Sequence, residues 1–137
     1  MRVSERLKLL KHPAALGLSR RFTVNVSSGL TGWFLAGESS IPPRVFEGGR
    51  IQSLTNAAAD LPGAGRLLLL KQPDGRLAGL ELEGNAASWR IESHGGGWQA
   101  LVKLPPAATD AARQVVVRVW AIPGEELDLL RSLMAGK

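Results

Sequence analysis

From Arg20 to Ile122 the apolar residues of this chain follow period two, the spacing of a strand whose faces alternate. Phe22, Val24 and Val26 alternate with Thr23 and Asn25. Trp98, Ala100, Val102 and Leu104 share one side of another run, and Trp89 and Ile91 share one side of a third. Strands that follow one another without intervening helices pair antiparallel. The expected fold is therefore all-β: an antiparallel β-sandwich or partly open barrel of about seven to nine strands, with a short helix at each terminus.

Turn chemistry fixes parts of the register. Pro73, Asp74 and Gly75 sit between two apolar runs. Proline presets the turn, aspartate favours it and glycine accepts a left-handed backbone. If Gln72 opposes Arg76, Leu68 meets Leu80 and Leu70 meets Ala78. The next hairpin surrounds His94 and Gly95–Gly97, and its two tryptophans, Trp89 and Trp98, are expected on one face. Pro42 and Pro43 make the segment around them an edge or a crossover. Residues 50–57 fit no single element, and the Pro and Gly content of 58–66 reads as a loop.

Two strand regions are apolar on both faces. Leu68 and Leu70 lie on one side of their run, Leu67, Leu69 and Leu77 on the other. Valines occupy both sides of residues 115–119, with Trp120 on the second. Such strands need cover on both faces. Contacts with a second copy of the chain are expected at Leu67, Leu69, Leu77 and Trp120. The alternative is that the C-terminal helix covers them from within.

That helix is expected over 123–137, with Glu125, Glu126 and Asp128 at its start, where the dipole favours anions. At the other end Ser4 is a plausible N-cap, and Leu7 and Leu10 stand at i, i+3. Pro13 would end that helix. The domain organisation read from this is a helical arm at 1–19, a β-domain at 20–122 and the closing helix.

The formal charge of +5 comes from 17 basic and 12 acidic residues. Six of the basic residues, Arg2, Arg6, Lys8, Lys11, Arg20 and Arg21, precede residue 22, with Glu5 their only acidic neighbour. The remainder carries eleven of each sign, so the excess belongs to one segment. With Leu7, Leu9 and Leu10 among them, these six cations are candidate contacts for an anionic partner. The readings are docking near Glu125, Glu126 and Asp128, or contact with an anionic membrane surface. Nucleic acid is the weaker ligand, because the arm offers no aromatic residue to stack a base except Phe22, which the strand pattern claims for the core.

Catalytic patterns are not found. There is no cysteine, and His12 and His94 are not in a metal-ligand spacing, so no metal or other cofactor is expected. Glycine runs that hold phosphate lead into a helix, whereas Gly95–Gly97 lead into a strand. Glu81 and Glu83 share a face, which is the ordinary wet side of a sheet. Trp33 near a turn and His94 at a loop tip are candidate ligand contacts. A sugar site also needs polar partners, and asparagine occurs only at Asn25, Asn56 and Asn85, with no tyrosine.

These features point to a non-enzymatic assembly or adaptor protein of bacterial composition, acting through self-association as a homo-oligomer or through a protein partner. The alternative is an accessory binding module for a saccharide or other extended anionic ligand, using exposed Trp and the basic arm. No apolar run reaches the roughly 20 residues that span a bilayer, and no signal peptide is visible. The expected location is cytoplasmic or peripheral at a membrane.

Overall fold

The computed structural model describes residues 2–13, 15–26, 32–54, 58–83, 88–104 and 111–135. These form eleven strands and one helix. The strands are β1 (Arg2–His12), β2 (Ala15–Val26), β3 (Gly32–Ser39), β4 (Arg44–Glu47), β5 (Arg50–Ser53), β6 (Ala58–Pro62), β7 (Leu67–Lys71), β8 (Leu77–Glu83), β9 (Ser88–His94), β10 (Gly97–Leu104) and β11 (Ala111–Ile122), and the helix is α1 (Leu127–Ala135). They build two antiparallel sheets. One has seven strands in the order β1-β2-β11-β8-β7-β4-β5, the other four in the order β3-β10-β9-β6.

The expected N-terminal helix is not formed. Residues 2–12 are a strand, paired without a break with 15–25, from Arg2 opposite Asn25 to His12 opposite Ala15. An isolated helix of that length is marginal in water. The hairpin instead gives every residue a ladder partner and places Pro13, which lacks an N–H, in the turn. β2 starts at Ala15, so it runs through the boundary expected at residue 19. Residues 58–62, expected as a loop, are edge strand β6, with Pro62 at its end, where a missing donor is tolerated. Residues 50–53 form β5, the other edge of the larger sheet.

The β7–β8 hairpin has the expected register, with Leu68 opposite Leu80 and Leu70 opposite Ala78. Its turn closes through the Gln72 N–H to the Arg76 carbonyl at 2.8 Å and the Gly75 N–H to the Gln72 carbonyl at 2.9 Å. Gly75 has φ +87°. In the β9–β10 turn Gly95 and Gly96 have φ +57° and +84°, conformations that Cβ-bearing residues resist. Trp89 and Trp98 share the inward face, but the register sets Trp98 opposite Ser93 and Trp89 opposite Val102. Residues 40–43 carry the chain from β3 to β4, a crossover between the sheets.

Each apolar face of the seven-stranded sheet is covered differently. On the inner face, Phe22, Val24, Leu68, Leu80 and Val117 share one core with Trp89, Ile91, Ala100 and Val102 of the four-stranded sheet. On the outer face, Phe46, Leu67, Leu69, Trp120 and Ile122 form a second core with Leu129, Leu130 and Leu133 of α1, and Leu77 packs against it. Leu67, Leu69 and Trp120, expected to meet a second copy, are therefore buried within one chain beneath its own helix. Period two reports that both faces are apolar, but not which element lies on them.

Gly17 marks how tightly the hairpin joins this outer core. It faces Trp120 across the β2–β11 ladder. A Cβ at Gly17 would run into the Trp120 ring and lie 3.0 Å from the Leu10 Cβ. Overpacking of this kind costs about 1–3 kcal/mol. Gly17→Ala should lower the urea midpoint accordingly, while Gly75→Ala should act only through its backbone conformation. An unchanged midpoint for Gly17→Ala would show that the Trp120 ring yields freely.

Candidate protein-contact surface

The β1–β2 hairpin brings together residues that the sequence scattered. Register assigns them to two faces. Glu5, Leu7, Leu9 and Lys11 of β1 lie on the inner face beside Leu16, Leu18, Arg20 and Phe22 of β2. Arg6, Lys8, Leu10 and His12 lie on the outer face beside Ala15, Gly17, Ser19 and Arg21. The inner face continues across β11 and β8 in rows. Leu9, Leu18, Val119 and Leu80 form one row, and Lys11, Leu16, Ala121 and Ala78 the next.

The four-stranded sheet does not cover all of these rows. Its edge strand β3 crosses the inner face obliquely. The Phe34 ring lies 4.6 Å from Phe22 of β2. Further along, a Cβ at Gly37 would meet Leu70 and Leu80, and the Ser40 N–H reaches the Lys71 carbonyl at 2.9 Å. The part of the inner face between β3 and the hairpin turn is left open. Leu7, Leu9 and Leu16 there are 63%, 72% and 76% exposed, and Leu18 and Val119 are half-buried. Singly exposed leucines need no explanation, but these three share one face of the hairpin.

β1 is also an open edge. Among the described residues it pairs with β2 alone, and it ends the strand order of its sheet. Its eleven residues have no register shift against β2. The edge of β3 is better guarded. Arg20 donates to the Ala36 carbonyl at 3.3 Å and Gln72 Nε2 to the Glu38 carbonyl at 3.1 Å.

The six cations do not form one patch. Arg20 pairs with Glu5 at 2.6 Å and lies 5.0 Å above the Phe22 ring. Arg21 donates to Gln114 Oε1 at 3.1 Å. Arg6 and Lys8 point away from Leu7 and Leu9, and Lys11 is on the leucine side. Among the described residues, Arg6, Lys8 and Lys11 form no ion pair. The Arg2 side chain lies outside the described residues. The acidic start of the helix does not receive Arg6 or Lys8: Glu125 pairs with Arg44 and Asp128 with Arg131 at 3.6 Å.

The other candidate contacts are separated. Trp33 lies on the exposed face of the four-stranded sheet, 40% accessible, with Lys103 Nζ 5.2 Å from its ring centroid. His94 is at the far end of that sheet, on a recess of about 380 Å³ lined by Glu38, Gln72, His94, Trp98 and Gln99. β10 puts Lys103 at one end and Gly97, opposite His94, at the other, so Trp33 and His94 cannot hold one small ligand. Asn56 and Asn85 lie outside the described residues. Among the described residues no three His, Asp or Glu side chains converge, and no helix is long and apolar enough to cross a membrane.

Two features are not evident from the sequence patterns above. Leu16 follows Pro13 and precedes the expected start of the β-domain, although Leu16 and Leu18 already alternate with Gly17 and Ser19. Glu81, assigned to the wet side of its strand, is 1% exposed. It accepts from Trp120 Nε1 at 3.2 Å and pairs with Arg118 at 3.5 Å. The chain matches no protein-family model, no curated protein and no solved structure.

Proposed function

We propose that this is a non-enzymatic assembly module with a β-sandwich architecture, which acts by binding another polypeptide along its β1–β2 hairpin. The observation that carries the reading is the exposure of Leu7, Leu9 and Leu16 on one face of an open edge. Exposed apolar surface of this kind is stabilised when covered, and an unpaired strand edge accepts a further strand. The saccharide reading has the exposed Trp33 in its favour, but Trp33 and His94 stand at opposite ends of the four-stranded sheet.

The test is selection of random displayed peptides on the wild-type protein. The selected peptides should lose binding to the combined Leu7→Ser, Leu9→Ser, Leu16→Ser variant and keep it for Trp33→Ala. These leucines are exposed, so each change should alter stability by no more than about 0.5 kcal/mol, and an unchanged thermal midpoint verifies that the variant is folded. Peptides that bind the triple variant as well as wild type, or that depend on Trp33, would refute the hairpin as the contact surface. So would a selection that enriches nothing.

A further inference from the structure

The two faces of β1 carry different chemistry, and together they specify a partner. Leu7 and Leu9 point to the inner face, Arg6 and Lys8 to the outer. A strand added at this edge extends both faces at once, because side chains directly across a ladder share a face. A partner strand with apolar residues at every second position would set them against Leu7 and Leu9. Its intervening residues would then stand opposite or diagonal to Arg6 and Lys8. Like charges at such positions destabilise the pair and opposite charges stabilise it.

Charge disfavours a second copy in this role. Antiparallel registers that bring these leucines of two copies together are centred on Leu7, Lys8 or Leu9. The first sets Arg6 opposite Lys8, the second sets Lys8 opposite itself, and the third sets the two Lys8 side chains diagonal to each other. Natural edge strands use lysine in this way to prevent pairing with their own kind. The guard is one-sided here. The only acidic residue of β1, Glu5, is already held by Arg20 at 2.6 Å, so the exposed charge of the edge is positive. The geometry also disfavours a lipid surface. Leu7, Leu9 and Leu16 lie on the face from which the four-stranded sheet rises, and packed sheets stand about 10 Å apart, so a flat bilayer meets that step before the leucines.

We propose that β1 is a docking edge for an extended, acidic segment of a partner protein in which apolar and acidic residues alternate. This rests on the reading of the hairpin as the contact surface and adds the chemistry of what binds there.

The probe is a peptide of about ten residues, a full strand length, alternating valine and glutamate with blocked ends. Controls are a peptide of the same composition with the two residue types in separate blocks, and one alternating valine and lysine. Binding to the full chain is read by fluorescence anisotropy at about 150 mM salt, where exposed charges are screened beyond about 8 Å. The alternating acidic peptide should bind about tenfold more tightly than either control, and slow amide exchange in β1. Combined Arg6→Glu and Lys8→Glu substitutions should transfer the preference to the valine–lysine peptide, while Leu7→Ser with Leu9→Ser should weaken both. Equal binding of the blocked and alternating peptides would overturn the proposal in favour of simple charge attraction. Co-sedimentation with phosphatidylcholine–phosphatidylglycerol vesicles, lost on Leu9→Ser and Leu16→Ser, would overturn it in favour of lipid. If library peptides bind the hairpin without acidic alternation, this inference fails and the contact surface stands. If none binds there, both fail.

Discussion

Deleting residues 124–137 should leave a chain that aggregates rather than a smaller folded domain. The deletion uncovers Phe46, Leu67, Leu69, Trp120 and Ile122 on the outer face of the larger sheet and removes Leu129, Leu130 and Leu133, which bury against them. Fully burying a leucine contributes about 1.5–3 kcal/mol, so three contribute about 5–9 kcal/mol. The whole margin of a domain is about 5–15 kcal/mol. Loss of the Arg44–Glu125 pair and of the His12–Ser132 hydrogen bond at 3.1 Å also frees the ends of β4 and β1. A point variant separates packing from truncation. Leu130 is fully buried, whereas Leu127 is 41% exposed. Leu130→Ala should cost about 2–5 kcal/mol, and Leu127→Ala a small fraction of that. Light scattering and urea denaturation read both. A truncated chain that stays monomeric, with an unshifted midpoint, would show that the outer face is not held by α1.

The same outer core shows where sequence reading stopped. Alternation and the Pro73–Gly75 turn were enough to set Leu68 against Leu80, because strand register near a tight turn is local. That Leu67, Leu69 and Trp120 needed cover was equally legible. Which element supplied it was not, since one apolar face looks the same to a helix of its own chain and to a second copy. Leu7 and Leu10 mimic a helical pair because i, i+3 spacing arises by chance in any run rich in leucine. The deciding contacts are distant: β1 is held by β2, and β2 by eleven paired residues of β11. The proposed contact surface is half-visible in the sequence for the same reason. The sequence shows the cations and Leu7 and Leu9, but a helical reading mixes their directions. Only a strand sorts them into an apolar face and a basic one.

The two buried tryptophans should respond oppositely to loss of the indole N–H. Trp89 is fully buried in the inner core, and its Nε1 has no hydrogen-bond partner among the described residues. Trp120 is buried in the outer core and donates to Glu81 Oε1 at 3.2 Å. Trp→Phe removes similar ring area at each site, so the cavity terms are comparable. At position 89 the change also removes a donor whose desolvation was not repaid, which offsets part of the cavity. At position 120 it takes a donor from a carboxylate that is itself 1% exposed and that pairs with Arg118 at 3.5 Å. Withdrawing one hydrogen-bond partner from a buried polar group costs about 1–3 kcal/mol, more when it is charged. Trp120→Phe should therefore destabilise the protein by at least about 1–3 kcal/mol more than Trp89→Phe. A double-mutant cycle of Trp120→Phe with Glu81→Met isolates the pair, because methionine keeps the length of the side chain and removes the buried carboxylate. The cycle should give a coupling on the order of 1 kcal/mol in favour of the native pair. Equal losses at positions 89 and 120, with no coupling, would mean that both tryptophans act as ring volume alone and that Glu81 is held by its other neighbours.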